Sequence, residues 1–269
     1  MVSLSDFLLT LGGLVVLVPL MALAWLRQRR TGNAGIVDLI WTASLGGLGV
    51  AYAVLLEGWA PRRALVGALV GLWSVRLTVH LWQRVMGEPE DGRYAAMRRE
   101  WPDFERWIFW FFQAQAVLSV LLSLVFLVLC AADEPGWRPQ DLVAVALFVL
   151  SIVGEGVADR QLAAWRADPA NRGKTCREGL WAWSRHPNYF FEWLHWIAYP
   201  VIGLGLPYGW TLWSAPLLML FLVIKVTGIP PTEAQALRSR GDDYRAYQRT
   251  TNAFFPGPPR PDPLNATAS

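Results

Sequence analysis

A succession of long apolar runs, laid almost end to end, constrains this chain more than any other feature. A stretch of about 18 or more apolar residues with few charges is long enough to cross the hydrocarbon core of a bilayer as a helix. Runs of this kind are read at 4–26, 35–56, 64–85, 107–131, 139–163, 189–206 and 208–228. Backbone in lipid must satisfy its own hydrogen bonds, and a helix does so within one segment. The expected fold class is therefore all-α integral membrane, with seven transmembrane helices. A soluble reading would need every run at the centre of one domain of 269 residues, which a domain of that size cannot provide. Only 17% of the residues are charged, against roughly a quarter in soluble domains.

Lys and Arg collect in the cytoplasmic loops of membrane proteins. Here Arg27, Arg29 and Arg30 follow the first run, and Arg93, Arg98, Arg99 and Arg106 separate the third from the fourth. Arg166, Arg172, Lys174, Arg177 and Arg185 separate the fifth from the sixth, and Arg238, Arg240, Arg245, Arg249 and Arg260 follow the seventh. The opposite loops hold only Arg62, Arg63 and Arg138. This alternation predicts an amino terminus outside and a carboxy terminus in the cytoplasm. The first run has its positive charge after it, so it reads as a span rather than a cleaved signal. Trp25, Trp82, Trp101, Trp107, Trp165, Trp181 and Trp183 fall near proposed span ends, where Trp favours the interface. The net charge of +3 reads as topology, and no nucleic-acid partner is expected. Cys130 and Cys176 imply no disulfide framework. One membrane domain is expected over 1–255, with a loose cytoplasmic tail over 256–269. The sequence leaves the oligomeric state open.

Ionisable side chains inside spans are costly and mark function. Asp38 lies in the second span with Trp41 about one turn on. Arg76 and His80 share a face of the third at i, i+4. Two readings stand: catalytic groups, or a helix-start Asp38 that pairs with Arg76 and locks two helices. Glu155 and Asp159 share a face of the fifth span, where like charges repel unless a partner or a proton relieves them. The segment 171–195, NRGKTCREGLWAWSRHPNYFFEWLH, packs Arg172, Lys174, Arg177 and Arg185 ahead of His186, Pro187, Asn188 and Tyr189. Glu192 and His195 then enter the sixth span. Proline is pre-organised for a helix start, and free N–H groups beside cations favour an anion. The stretch 232–255 is too polar to span and predicts an amphipathic helix on the cytoplasmic surface, closing a nucleotide site from below. Three dispersed histidines, His80, His186 and His195, and no CxxC spacing give no expectation of a metal.

The string GLWAWSRHPNYFFEW resembles the signature of bacterial membrane proteins related to steroid 5-alpha-reductases, of the DUF1295 type. Gly179, Leu180 and Trp181 match a Gly-Leu-Phe of the eukaryotic reductases. Asn188, Tyr189, Phe190 and Glu192 match their Asn-Tyr-Phe-Gly-Glu, with Phe191 in place of the glycine. Segment 35–46, GIVDLIWTASLG, and Gly228, Pro230, Glu233, Tyr244, Tyr247, Thr251, Phe254 and Pro256 resemble the bacterial relatives. The resemblance implies a seven-helix fold in the bacterial inner membrane, with NADPH in a cytoplasm-facing cavity. Glu155, Asp159 and Arg166 hold the spacing of a nucleotide-contacting Asn, Asp and Arg. Asn188 and Glu192 fall near the nicotinamide, and Lys174 replaces a phosphate-binding Arg. Arg172, Arg185, His186, Tyr189, Glu233, Arg238, Arg240 and Tyr244 complete the expected cofactor set.

The reaction so implied reduces a lipophilic enone, such as the delta-4 double bond of a 3-oxo-steroid. Hydride goes to the carbon beta to the carbonyl, and an acid polarises the carbonyl oxygen. The eukaryotic Glu and Tyr that do this have no aligned counterpart, so Asp38, Arg76 and His80 stand as candidates, with Trp41 and Trp73 on the substrate side. An S-adenosylmethionine-dependent methyltransferase of the isoprenylcysteine type is the rival. It shares Arg185, His186, Pro187 and Tyr189, but has several Glu in its tail where this chain has only Glu233. A non-enzymatic lipid-binding or assembly factor is the third reading.

Overall fold

The computed structural model describes residues 4–266, which form helices and connecting loops with no strand among them. The helices are α1 (Leu4–Thr31), α2 (Ile36–Leu55), α3 (Ala60–Gly87), α4 (Gly92–Glu100), α5 (Phe104–Ala131), α6 (Pro139–Ala167), α7 (Leu180–Trp183), α8 (Pro187–Ile202), α9 (Ser214–Phe221), α10 (Ile229–Thr250) and α11 (Pro263–Ala266). Among the described residues, six helical stretches are long and apolar enough to cross a membrane, as expected of an integral membrane protein. They are α1 from Asp6, α2, α3, α5, α6 and the run Gly209–Thr250.

The expected count of seven is not reached by this measure. The sixth run became α8, which has 16 residues against the about 20 that span hydrocarbon. Pro200 lies inside its last turn, and a turn at 203–205 ends it. The seventh run and α10 together make a stretch of 42 residues, too long for one crossing. Its apolar part precedes Gly228; a π-turn at Leu222–Val226 separates it from the polar α10. Such turns break the regular ladder and often accompany functional sites.

Contacts group the chain into two compact units. The first comprises the described part of Met1–Arg138 together with Ile202–Leu212. In it α2 packs on α3 and α5, and α1 on α5 and α2. Leu17, Met21, Val37, Ile108 and Phe112 are buried between them. Gly46 permits the α2–α3 approach, because a methyl there would overlap Ser74. The α2–α3 turn is pinned where the Trp59 N–H donates to the Ala132 carbonyl, and Pro61 opens α3.

The second unit comprises Pro139–Val201 and Trp213–Ser269, of which residues to 266 are described. Trp181 of α7 donates through Nε1 to the Ala158 carbonyl of α6. Buried Tyr247 of α10 donates to the carbonyls of Trp181 and Ser184. Gly241 interrupts α10 with φ 52°, a conformation that favours glycine. The stretch from Pro256, expected as a loose tail, is bonded as far as Asp262. Gly257 N–H donates to Trp183, Arg260 N–H to Thr250, and Arg249 holds the Asp262 carboxylate through Nε and an Nη at 2.9 and 2.8 Å.

Candidate functional site

The densest polar arrangement is in the second unit, where α8 begins. The Ser184 hydroxyl donates to the Phe254 carbonyl and accepts from the His186 N–H at 3.1 Å. This fixes the turn from which Pro187 starts α8. Arg185 is thereby turned onto α10. Its Nε donates to Glu233 Oε1 at 2.7 Å, and Nη1 donates to the carbonyls of Gln248 and Thr251 at 3.1 and 2.5 Å. Glu233 Oε1 also accepts from His186 Nε2 and Tyr244 at 3.3 Å each, and Oε2 from Gln248 Nε2 at 2.7 Å.

These donors decide the charges. Burial acts to raise the Glu233 carboxyl, but His186, Arg185 and Gln248 outweigh it and hold it down at about 2. Burial lowers His186 against the pull of Glu233, keeping the imidazole neutral. An anion with four donors is a poor base. The cluster works as a clamp between α8 and α10, and Arg185, expected on a phosphate, is committed to it.

Beside the clamp lies a group with capacity left. Arg240 sets its guanidinium over the Tyr244 ring, 5.0 Å from its centroid. Its Nε is buried with no hydrogen-bond partner among the described residues, as is Thr175 Oγ1. Buried donors without acceptors are costly. The charges of both Arg166 and Arg240 act on the Cys176 thiol, which burial pushes above its ordinary value. The 174–177 loop is held to α10 because Asp243 accepts from the Thr175 N–H at 2.7 Å and from Arg177 at 2.9 Å. Arg166 of α6 and Arg240 of α10 therefore both lie within electrostatic range of Cys176, the neighbour of Thr175 in the loop. This donor set suits an anionic phosphate ester.

The other expected residues divide. Asn188 reaches Asp159 Oδ1 at 3.5 Å, joining α8 to α6, and Glu155 is buried on the same helix. Tyr189 stacks on His186 with centroids 5.3 Å apart and bonds Thr232 at 3.1 Å. Glu192 lies 3.8 Å from His195 one turn on. Arg172, Lys174 and Arg238 are exposed. Gln248 and Thr232 were missed by sequence reasoning, since partners across a helical hairpin have no sequence periodicity.

The first unit holds a separate polar cluster. Asp38 sits in the first turn of α2, the helix-start position foreseen as one reading. Its partner is not Arg76. Arg93 pairs with Oδ2 at 3.1 Å, and the Tyr94 hydroxyl donates to Oδ1 at 2.8 Å. Asp91 caps α4 through the Arg93 N–H and pairs with Arg84 and Arg93. Burial, with the charge of Asp38, raises the Tyr94 phenol well above its ordinary value. Trp41 and Trp73 meet edge to face, 6.3 Å apart. Arg76 is half-buried, with its Nη1 buried, and His80 is exposed.

Residues 24–251 match the family described as "Protein of unknown function (DUF1295)". The chain belongs to the DUF1295 family. The type expected from segment 171–195 is thus the one found. This DUF1295 protein is also 24% identical over 257 residues to an uncharacterized protein of Schizosaccharomyces pombe, covering 84% of this chain and 73% of that relative. No solved structure matches it.

Proposed function

We propose that this protein is a membrane-embedded NADPH-dependent reductase of a lipophilic enone, of the steroid 5-alpha-reductase type. The observation that carries the reading is the buried Arg240 Nε and Thr175 Oγ1 without partners among the described residues, with Arg166 in electrostatic range of the same loop, beside the Arg185–His186–Glu233 clamp. Family membership supports the same class. Arg166, Arg240 and Thr175 would hold phosphate, with Lys174 and Arg172 adding charge from the exposed loop. Asn188, Asp159, Glu155 and Glu192 would hold the nicotinamide end. NADPH, when bound, supplies the hydride. Arg185, His186, Glu233 and Tyr244 position the α8 start and bind nothing themselves. Within the first unit, taken by itself, Tyr94 is a phenol kept protonated and hydrogen-bonded to Asp38. A protonated phenol of this kind can donate to an oxygen on which negative charge develops.

The topology that goes with this is seven crossings, with α8 as the short sixth. The amino terminus is outside and α10 is at the cytoplasmic surface of a bacterial inner membrane. Titration of the detergent-purified protein with NADPH and with S-adenosylmethionine tests the reading. NADPH is expected to bind, and Arg240→Ala to weaken it roughly 10-fold or more, the weight of one charge-assisted hydrogen bond. S-adenosylmethionine binding without NADPH would replace the reductase with a methyltransferase. Binding of neither to folded protein would point to a non-enzymatic role.

A further inference from the structure

One cavity of the first unit is unrelated to either polar cluster. It is a groove of about 440 Å³ between α1 and α2, within the size range of ligand sites. Leu9 to Leu20 of α1 and Ile40 to Tyr52 of α2 line it, a length of roughly 17 Å at the rise of a helix. Gly12 and Gly47 form part of its walls, and open space lies where their side chains would be. No Asp, Glu, Lys, Arg or His lines it. Val15 and Val16 beside it are highly exposed, so in a bilayer its mouth faces lipid.

Two polar side chains belong to this lining, and the Tyr52 hydroxyl is already bonded to Thr10 and Ser123. Ser44 is 8% exposed, and its hydroxyl is buried with no hydrogen-bond partner among the described residues. Thr78 of α3 is the same in this respect, but most buried helix hydroxyls are bonded within their own helix. Thr42 donates to Asp38, Ser119 to Gln115, Ser123 to Val120 and Ser151 to Phe148, each to a carbonyl three or four residues back. Ser44 is eight residues into α2, about 12 Å along a helix that is itself about 30 Å long. Water is absent from hydrocarbon at that depth, and an apolar groove lacks the two to four partners that hold an ordered water. A ligand oxygen fits the vacancy in the hydrogen bonding.

We propose that the α1–α2 groove binds a neutral lipid, a hydrocarbon body carrying a single hydroxyl or carbonyl oxygen that bonds Ser44. A charged headgroup finds no counter-charge there, which excludes phospholipid as the specific ligand. This assignment stands independently of the reductase reading.

The test uses full-length protein in phosphatidylcholine nanodiscs with three diazirine-bearing probes: a cholesterol analogue, a hexadecanol analogue and phosphatidylcholine itself. At least one neutral probe is expected to label peptides from 4–31 and 36–55 saturably, and the two neutral arms separate ring from chain. Gly47→Leu, or Gly12→Leu from the opposite wall, should abolish that labelling with the thermal midpoint no lower. Ser44→Ala should weaken it about fivefold, the weight of one neutral hydrogen bond, without loss of stability. Failure of both neutral probes overturns the proposal. So does non-saturable labelling by all three probes alike that neither glycine variant moves.

Discussion

Glu233→Gln removes the charge at the centre of the clamp while keeping its shape. The glutamine can retain one acceptor toward Arg185, His186 and Tyr244. Its amide nitrogen then faces Gln248 Nε2, donor against donor, where the carboxylate now accepts at 2.7 Å. Arg185 stays charged but meets only neutral acceptors, the glutamine oxygen and the carbonyls of Gln248 and Thr251. Breaking a buried ion pair from one side costs about 3–5 kcal/mol. The side chains of Arg185 and Glu233 keep 11% and 14% exposure, and those carbonyls soften the loss, so the low end applies, about 3 kcal/mol. At about 2–4 °C per kcal/mol, the thermal midpoint in detergent should fall by roughly 6–12 °C. The pH dependence gives a second readout. Glu233 is depressed from its ordinary 4.5 to about 2. Its stabilisation is therefore complete above about 4.5 and is lost as pH falls toward about 2. The gap between parent and variant should close across that window. The double variant Glu233→Gln with Gln248→Glu returns a carboxylate to the same hydrogen bond and should recover most of the loss. A midpoint unchanged by Glu233→Gln at pH 7, or an acid limb identical to the parent's, would refute the clamp.

Four further outcomes follow from other sites. Gly154→Ala places a methyl against the Phe191 ring and should cost about 1–3 kcal/mol, with Phe191→Leu in the same chain restoring part of it in thermal unfolding. Gly46→Ala should destabilise the α2–α3 contact by a similar amount through overlap with Ser74, and Ser74→Gly should relieve it. Asp38→Asn should lower stability by only about 1 kcal/mol, because its pair with Arg93 is partly exposed. If the acid assignment holds, it should nevertheless suppress enone reduction with NADPH affinity unchanged. Tyr247→Phe removes a hydroxyl that serves two carbonyls and should cost about 1–2 kcal/mol, read as a lower midpoint.

The apolar runs were legible because each is a local property: in lipid a helix satisfies its backbone by itself, so composition and length suffice. Five of the six long apolar helices, α1, α2, α3, α5 and α6, lie where the runs predict, and the Asn188–Glu192 segment marked its family from side-chain order alone. The sequence also offered a helix start as one of two readings of Asp38. It did not show that Arg93 and Tyr94, more than fifty residues away, would take the carboxylate instead of Arg76. Nor did it show that Arg185 would be spent on Glu233 rather than offered to a phosphate. Those pairings depend on which helix faces are brought together, and charge alone does not choose among many arginines. The short α8 and the polar continuation of the last apolar run likewise emerged from packing, where Pro200 and the π-turn act. Sequence determined the helices and their medium; the tertiary structure decided the partners, because a hydrogen bond across helices is set by three-dimensional register and not by spacing along the chain.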